Sequence, residues 1–150
     1  MARDEKTDEK RIGMKWVVVD ASVIIKAISQ DNLQVKKKIS SLLKKVEQDK
    51  THLFAPPIFW AECANALRFS NKDKKENQNN LQKIFNLPIR LTQPTSKSIM
   101  RSLEISQQLG DTVYDSWYHV TALWLGAIFI TADKKYYNKA KNIGSIEYWG

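Results

Sequence analysis

Residues 16–26 read Trp16-Val17-Val18-Val19-Asp20-Ala21-Ser22-Val23-Ile24-Ile25-Lys26. Trp16 to Val19 is a short, continuous, β-branched run, the pattern of a strand buried on both faces rather than one with a wet side. It ends on an acid, Asp20, and Ser22 is read as the cap of a helix reaching about Gln30. The same order recurs late in the chain at 127–133, AIFITAD, where Ala127 to Ile130 predicts a second buried strand with Thr131 and Asp133 just beyond it. Strands separated by helical patterns predict an α/β fold with a parallel sheet covered by helices on both faces. Such sheets place their sites beyond the carboxyl ends of the strands, so Asp20 and Asp133 should emerge at one edge.

Between these two strands, Leu33, Val35, Ile39, Leu42, Leu43 and Val46 recur at helical spacing, with Lys36, Lys37, Lys38, Lys44 and Lys45 on the solvent side. Leu53 to Ala55 reads as a strand, and Pro57 opens a helix through Phe69. The polar stretch 71–80 is read as flexible and leads into a short helix, Asn80 to Phe85, then an apolar segment, Pro88 to Leu91. Ser96 or Thr95 caps a helix that Gly110 ends, and Thr112 opens another through Trp124 that Gly126 ends. A helix near Tyr136 to Lys141 and a strand near Ile146 to Trp149 follow.

The 150 residues, 43% hydrophobic and 27% charged, suit one globular domain over 14–150 and exclude a collagen-like repeat or a coiled coil. Residues 1–13 hold four acids and four bases with little to bury, so they are expected to form a flexible polar tail, and Met14 could be an alternative start. No apolar run approaches the roughly 18 residues of a membrane span, and no secretory signal is recognisable, which makes a cytoplasmic location the expectation. Cys63 is the only cysteine and cannot pair within the chain. Twenty-four Lys and Arg against sixteen Asp and Glu give +8, a balance that favours polyanionic partners, nucleic acid first.

Two more acids interrupt apolar helices: Glu62 within PIFWAECANALRF and Asp115 within TVYDSWYHVTALWL. A charge taken into low dielectric costs several kcal/mol unless it is paired or binds a metal. Four such acids without an adjacent arginine point to a divalent cation, and oxygen ligands without a Cys or His cluster select Mg²⁺ or Mn²⁺ over zinc. A carboxylate-held metal in a basic protein is the pattern of phosphodiester hydrolysis.

VVVDASVIIK, PPIFWAECANAL, TVYDSWYHVTALWLGA and IFITADKKYY, in that order from about Lys15 to Trp149, resemble PIN domains, and among them the VapC toxins of toxin–antitoxin pairs. The resemblance implies an α/β/α sandwich on a parallel sheet and an endoribonuclease that uses Mg²⁺ or Mn²⁺. Carried over, Asp20, Glu62, Asp115 and Asp133 are the metal-binding and catalytic acids, and Ser22, Thr131 and Asn65 support them. Cleavage would use water and no protein nucleophile, leaving a 5′-phosphate and a 3′-hydroxyl. Arg68, Lys134 and Lys135 are candidates to hold RNA phosphates in the cleft. Many relatives carry a further acid after the position of Asp133, where this chain has Lys134, Lys135, Tyr136 and Tyr137, a departure that bears on a second metal. A homodimer and a cognate antitoxin lying across the cleft are implied by the same analogy.

Other features have ordinary readings. His119 is read as a partly buried histidine satisfied by its neighbours, Cys63 as a small buried residue, Asp111 as a charge at a helix N-terminus, and the five tryptophans as mostly core. The competing reading of the whole chain is a catalytically silent PIN-like module that binds RNA or protein. It would hold RNA in EDTA and never cut it.

Overall fold

The computed structural model describes residues 15–29, 32–70 and 72–150. The expected polar tail at 1–13 lies outside them. Strands β1 (Lys15–Val19), β2 (Thr51–Ala55), β3 (Ile89–Leu91), β4 (Ile128–Thr131) and β5 (Ile146–Tyr148) form one sheet in the order β3-β2-β1-β4-β5, and every pairing is parallel. Helices α1 (Ala21–Ile28), α2 (Leu33–Glu47), α3 (Phe59–Arg68), α4 (Lys74–Phe85), α5 (Ser96–Leu109), α6 (Val113–Leu125) and α7 (Lys134–Ala140) make the connections. The expected α/β/α sandwich is the observed architecture.

Register explains the layers. Val17 pairs with Ile128 and Val18 with Phe129, so neighbours on adjacent strands share a face while the chain alternates. On one face α2 lies over Val17, Ile128 and Ile130. On the other, Tyr118 of α6 stacks on Phe129 with ring centroids 5.8 Å apart, and His119 and Tyr136 close round the same ring. Val17, Val18 and Val19 at the centre are all buried, as a strand covered on both sides requires.

Several boundaries move. Asp20, not Ser22, caps α1, because its carboxylate reaches the Ser22 N–H while the Ser22 hydroxyl turns to another strand. Helix α3 starts at Phe59, after a turn in which the Phe59 N–H bonds the Pro56 carbonyl. Most of the polar stretch read as flexible is helix: Asp73 accepts from the Glu76 N–H at 2.8 Å and starts α4 at Lys74, six residues before the expected position, and residue 71 lies outside the described residues. Good helix formers and a cap outweigh the lack of apolar residues there. Helix α7 likewise begins at its cap, Asp133, and β5 ends before Trp149. Gly110 and Gly126 end α5 and α6 at φ +64° and +63°, as the sequence indicated. Of the tryptophans read as mostly core, Trp16 and Trp149 pack half-buried against it. None is fully buried, and Trp60 and Trp124 are 43% and 51% exposed, since so large a ring buries one face more readily than both.

Candidate active site

Parallel topology brings the ends of β1 and β4 side by side, and the Asp20 N–H extends their ladder to the Ile130 carbonyl at 3.0 Å. There the Thr131 hydroxyl donates to Asp20 Oδ2 at 2.7 Å and accepts from the Asp133 N–H at 3.0 Å, joining the two acids through one side chain. Ser22 Oγ accepts from the Ala132 N–H at 3.0 Å and ties α1 to the β4 end. Asp20 and Asp133 also cap α1 and α7 respectively. The cap and the site therefore use the same carboxylates.

Asp20 is almost wholly buried. Burial raises its pKa, hydrogen bonds from Thr131 and Ser22 oppose the rise, and the charge of Asp133 adds to it. Glu62 of α3 is pushed up to about 7, by burial first and then by Asp20, with the Tyr118 hydroxyl beside it working the other way. Asp115 of α6 is pushed up to about 8 by burial, by a hydrogen bond with Asp111 and by the charges of Asp111, Asp20 and Asp133. All four acids of the sequence reading thus belong to one electrostatic neighbourhood. Glu62, Asn65 and Asp115 line one open cleft of about 500 Å³, with Ile58 and Tyr114 also on its walls. Asp20 and Asp133 lie outside that lining.

Asp111 precedes the true cap of α6, Thr112, and is more than a helix charge. Its Oδ1 accepts from the Thr112 N–H at 2.7 Å, and Lys139 Nζ stands 3.4 Å from its Oδ2. Burial works against its charge, but the hydrogen bonds from Asp115 and Thr112 and the nearby ammonium outweigh it, so Asp111 is held below the ordinary carboxylate value while Asp115 keeps its proton. The D-x-x-x-D spacing of 111 and 115 was the available signal. Helical counting alone could not show that the chain turns the first acid toward the second.

The remaining candidates separate. Lys134 and Lys135 are exposed in the first turn of α7, directly after Asp133. Arg68 is exposed and stacks on Phe69, its guanidinium 4.5 Å from the ring centroid, and it is not part of the cleft lining. His119 is fully buried, with Nδ1 2.9 Å from the Tyr136 hydroxyl and Nε2 2.7 Å from the Gly144 carbonyl, so both ring nitrogens are satisfied in the neutral ring. Burial pushes the Cys63 thiol up to about 12, leaving it inert at neutral pH. Among the described residues, no three His, Cys, Asp or Glu side chains stand together as a set that could hold a metal ion.

A family model, PIN domain, matches residues 17–142, which span β1 through α7 and all four acids. The chain belongs to the PIN domain family. PIN domains are generally nucleases. No curated protein matches the chain in sequence. Among solved structures, VapBC2 from Rickettsia felis bound to a promoter DNA fragment is similar at 20% identity and a TM-score of 0.64, over 90% of this chain and 99% of that one. VapBC-1 from nontypeable Haemophilus influenzae is similar at 16% identity and 0.61, over 89% and 98%. PAE2754 from Pyrobaculum aerophilum is similar at 20% identity and 0.60, over 85% and 87%. At these identities the likeness is one of fold.

Proposed function

We propose that this PIN domain is a divalent-metal-dependent endoribonuclease and the toxin of a toxin–antitoxin pair. The observation that carries the reading is the electrostatic one: Asp20, Glu62 and Asp115 are all raised, by burial first, and Glu62 and Asp115 also by the charge of Asp20. The Lys139 ammonium is engaged by Asp111 and the Gly110 carbonyl, and among the described residues none of the ion pairs includes Asp20, Glu62, Asp115 or Asp133. Such a cluster lacks positive charge. Its donors are carboxylate oxygens without thiolate, and the one nearby imidazole is fully occupied, so the chemistry of the set fits Mg²⁺ or Mn²⁺. Asp20, Glu62, Asp115 and Asp133 would hold the ion, and when bound it would activate water and stabilise charge on phosphate oxygens.

The chain's own groups do the rest. Thr131 and Ser22 fix Asp20 and the β4 end so that the carboxylate need not reorganise. Asp115, protonated without metal, would give up its proton on binding, and Asp111 is the group placed beside it. Asn65, exposed in the cleft one turn from Glu62, is positioned to bond a substrate hydroxyl or phosphate. Lys134 and Lys135, beside Asp133, would meet the RNA backbone. The VapBC relatives support a cognate antitoxin as partner, and a homodimer belongs to the same proposal.

A silent binding module is the second reading, favoured by the absence of three converging ligands among the described residues. One experiment separates the two. Pure protein and its Asp115→Asn variant are incubated with an RNA panel in Mn²⁺, Mg²⁺ and EDTA. Cleavage with 5′-phosphate ends is expected in metal alone, with a loss of at least a hundredfold in the variant. Binding without cleavage in every metal would move the assignment to the silent module.

A further inference from the structure

Helix α2 carries five lysines, Lys36, Lys37, Lys38, Lys44 and Lys45, and one acid, Glu47 in its last position. At 3.6 residues per turn the five span an arc of roughly 200°. The rest of the circumference carries Val35, Ile39 and Leu42, which are buried. All five lysines are exposed, and none belongs to the ion pairs of the described residues, Lys72–Glu76, Arg101–Glu104 and Lys139–Asp111. Among the large apolar side chains of this helix only Leu33, in its first position, is exposed, and a single leucine is too little apolar surface to anchor a helix in a bilayer, so the face suits a polyanion approached from water rather than a membrane.

Two hollows on this face meet at Ser41. One, shallow and open, lies among Lys36, Lys37, Ser40 and Lys44. The other, about 210 Å³, lies between α2 and the sheet and is lined by Lys15, Lys38 and Lys45. That volume is below the ~300 Å³ at which pockets for drug-sized ligands begin, so it suits a single anionic group rather than a whole cofactor. Glu147 is the acid in its wall, and its carboxylate is engaged by the Trp149 Nε1–H at 3.2 Å. Lys38 is held 5.3 Å over the Trp149 ring, which limits the freedom its ammonium would lose on binding. From Lys36 to Lys45 the lane runs about 14 Å along α2, and the carboxylate cleft is lined from α3, α6 and the residues before them.

We propose that the lysine face of α2, with its pocket at Lys15, Lys38 and Lys45, is a second contact surface for the backbone of single-stranded RNA, holding phosphates outside the carboxylate cleft. The choice of RNA as the polyanion rests on the nuclease reading. The test is fluorescence anisotropy of a labelled oligouridylate in EDTA over a series of salt concentrations. Wild type is compared with Lys36→Gln/Lys37→Gln/Lys44→Gln/Lys45→Gln and with an equal-charge control, Lys74→Gln/Lys75→Gln/Lys83→Gln/Lys97→Gln. Lys and Gln have similar helix propensities, so both variants should fold, which thermal melting checks. If the quadruple variant melts early, Lys37→Gln/Lys45→Gln replaces it, with half the effect expected.

Each lost phosphate contact lowers the slope of log affinity against log salt by ~0.7 for a single strand, so the α2 variant should lose about 3 from the slope and at least tenfold in affinity at low salt. The control should track wild type. An unchanged slope in the α2 variant, an equal loss in the control, tighter binding of duplex DNA through the same lysines, or no RNA binding by wild type would each overturn the proposal. Cleavage of the same RNA by wild type in Mn²⁺ is scored separately. Loss of binding in a protein that never cuts would sustain the surface and refute the nuclease, and cutting with unchanged binding would do the reverse.

Discussion

His119 shows how a chemically capable residue is taken up by packing. Its two nitrogens face the Tyr136 hydroxyl and the Gly144 carbonyl inside a cluster with Phe129, and burial lowers its pKa below the ordinary value. With Nε2 donating to the carbonyl, Nδ1 must accept from Tyr136. Tyr136→Phe leaves that buried acceptor unpaired and should cost ~1–3 kcal/mol in urea unfolding while sparing metal-dependent RNA cleavage. A neutral result would mean that Nδ1 finds another partner. Asp115 has the opposite fate. It is half-buried, and burial together with its acidic neighbours suppresses its charge rather than satisfying it. The residue types at 115 and 119 were readable; what each side chain meets was not.

Helix α4 tests how far local rules reach. Its sequence, KKENQNNLQKIF, is so polar that only Asn80 and Ile84 are buried, and its start rests on the Asp73 cap and the Lys72–Glu76 ion pair at 2.9 Å. Exposed i,i+4 pairs contribute only ~0.3–0.5 kcal/mol, so the cap carries more of the helix. Asp73→Ala should lower stability by ~1 kcal/mol, a fall in Tm of about 2–4 °C, with amide exchange speeding first in residues 74–80. Uniform loss of protection across the chain would show instead that α4 unfolds only with the whole. Helices α5 and α6 were legible end to end because Thr95, Gly110, Thr112 and Gly126 mark them with the residues that caps and left-handed turns require. Asp20 and Asp133, candidate site acids, also cap α1 and α7; the sequence offered Ser22 as the α1 cap because serine and aspartate carry the same capping signal, and only the fold sends the Ser22 hydroxyl to the Ala132 N–H instead.

For the whole molecule the acids set a pH dependence whose sign is fixed by the direction of their shifts. With Asp20 raised, Glu62 near 7 and Asp115 near 8, the folded chain binds more protons than the unfolded chain between about pH 4 and 8. Stability of the metal-free protein should therefore fall as pH rises through that window, while the lowered His119 removes stability on the acid side below about 6.5. Three raised acids outweigh the one histidine across most of the window, so melting scans should peak near its acid end, at about pH 4, and Asp115→Asn should flatten the alkaline decline. Mn²⁺ at a hundred times its Kd should restore ~2.7 kcal/mol at pH 8 and much less at pH 5, where protons compete for the carboxylates. An equal effect at both pH values would place the ion away from these acids. By itself the sequence determined the parallel α/β layout, the four acids and the basic character of the chain, because strand patterning, caps and charge are written in neighbouring residues. Only the tertiary structure decided that Thr131 bridges Asp20 to Asp133, that Asp111 suppresses the charge of Asp115, that Arg68 turns to Phe69, and that Lys15 joins the α2 lysines. The first and last depend on side chains from distant segments meeting across strand ends and a packed helix, and the other two on how burial turns near neighbours toward or away from each other, neither of which spacing along one chain measures.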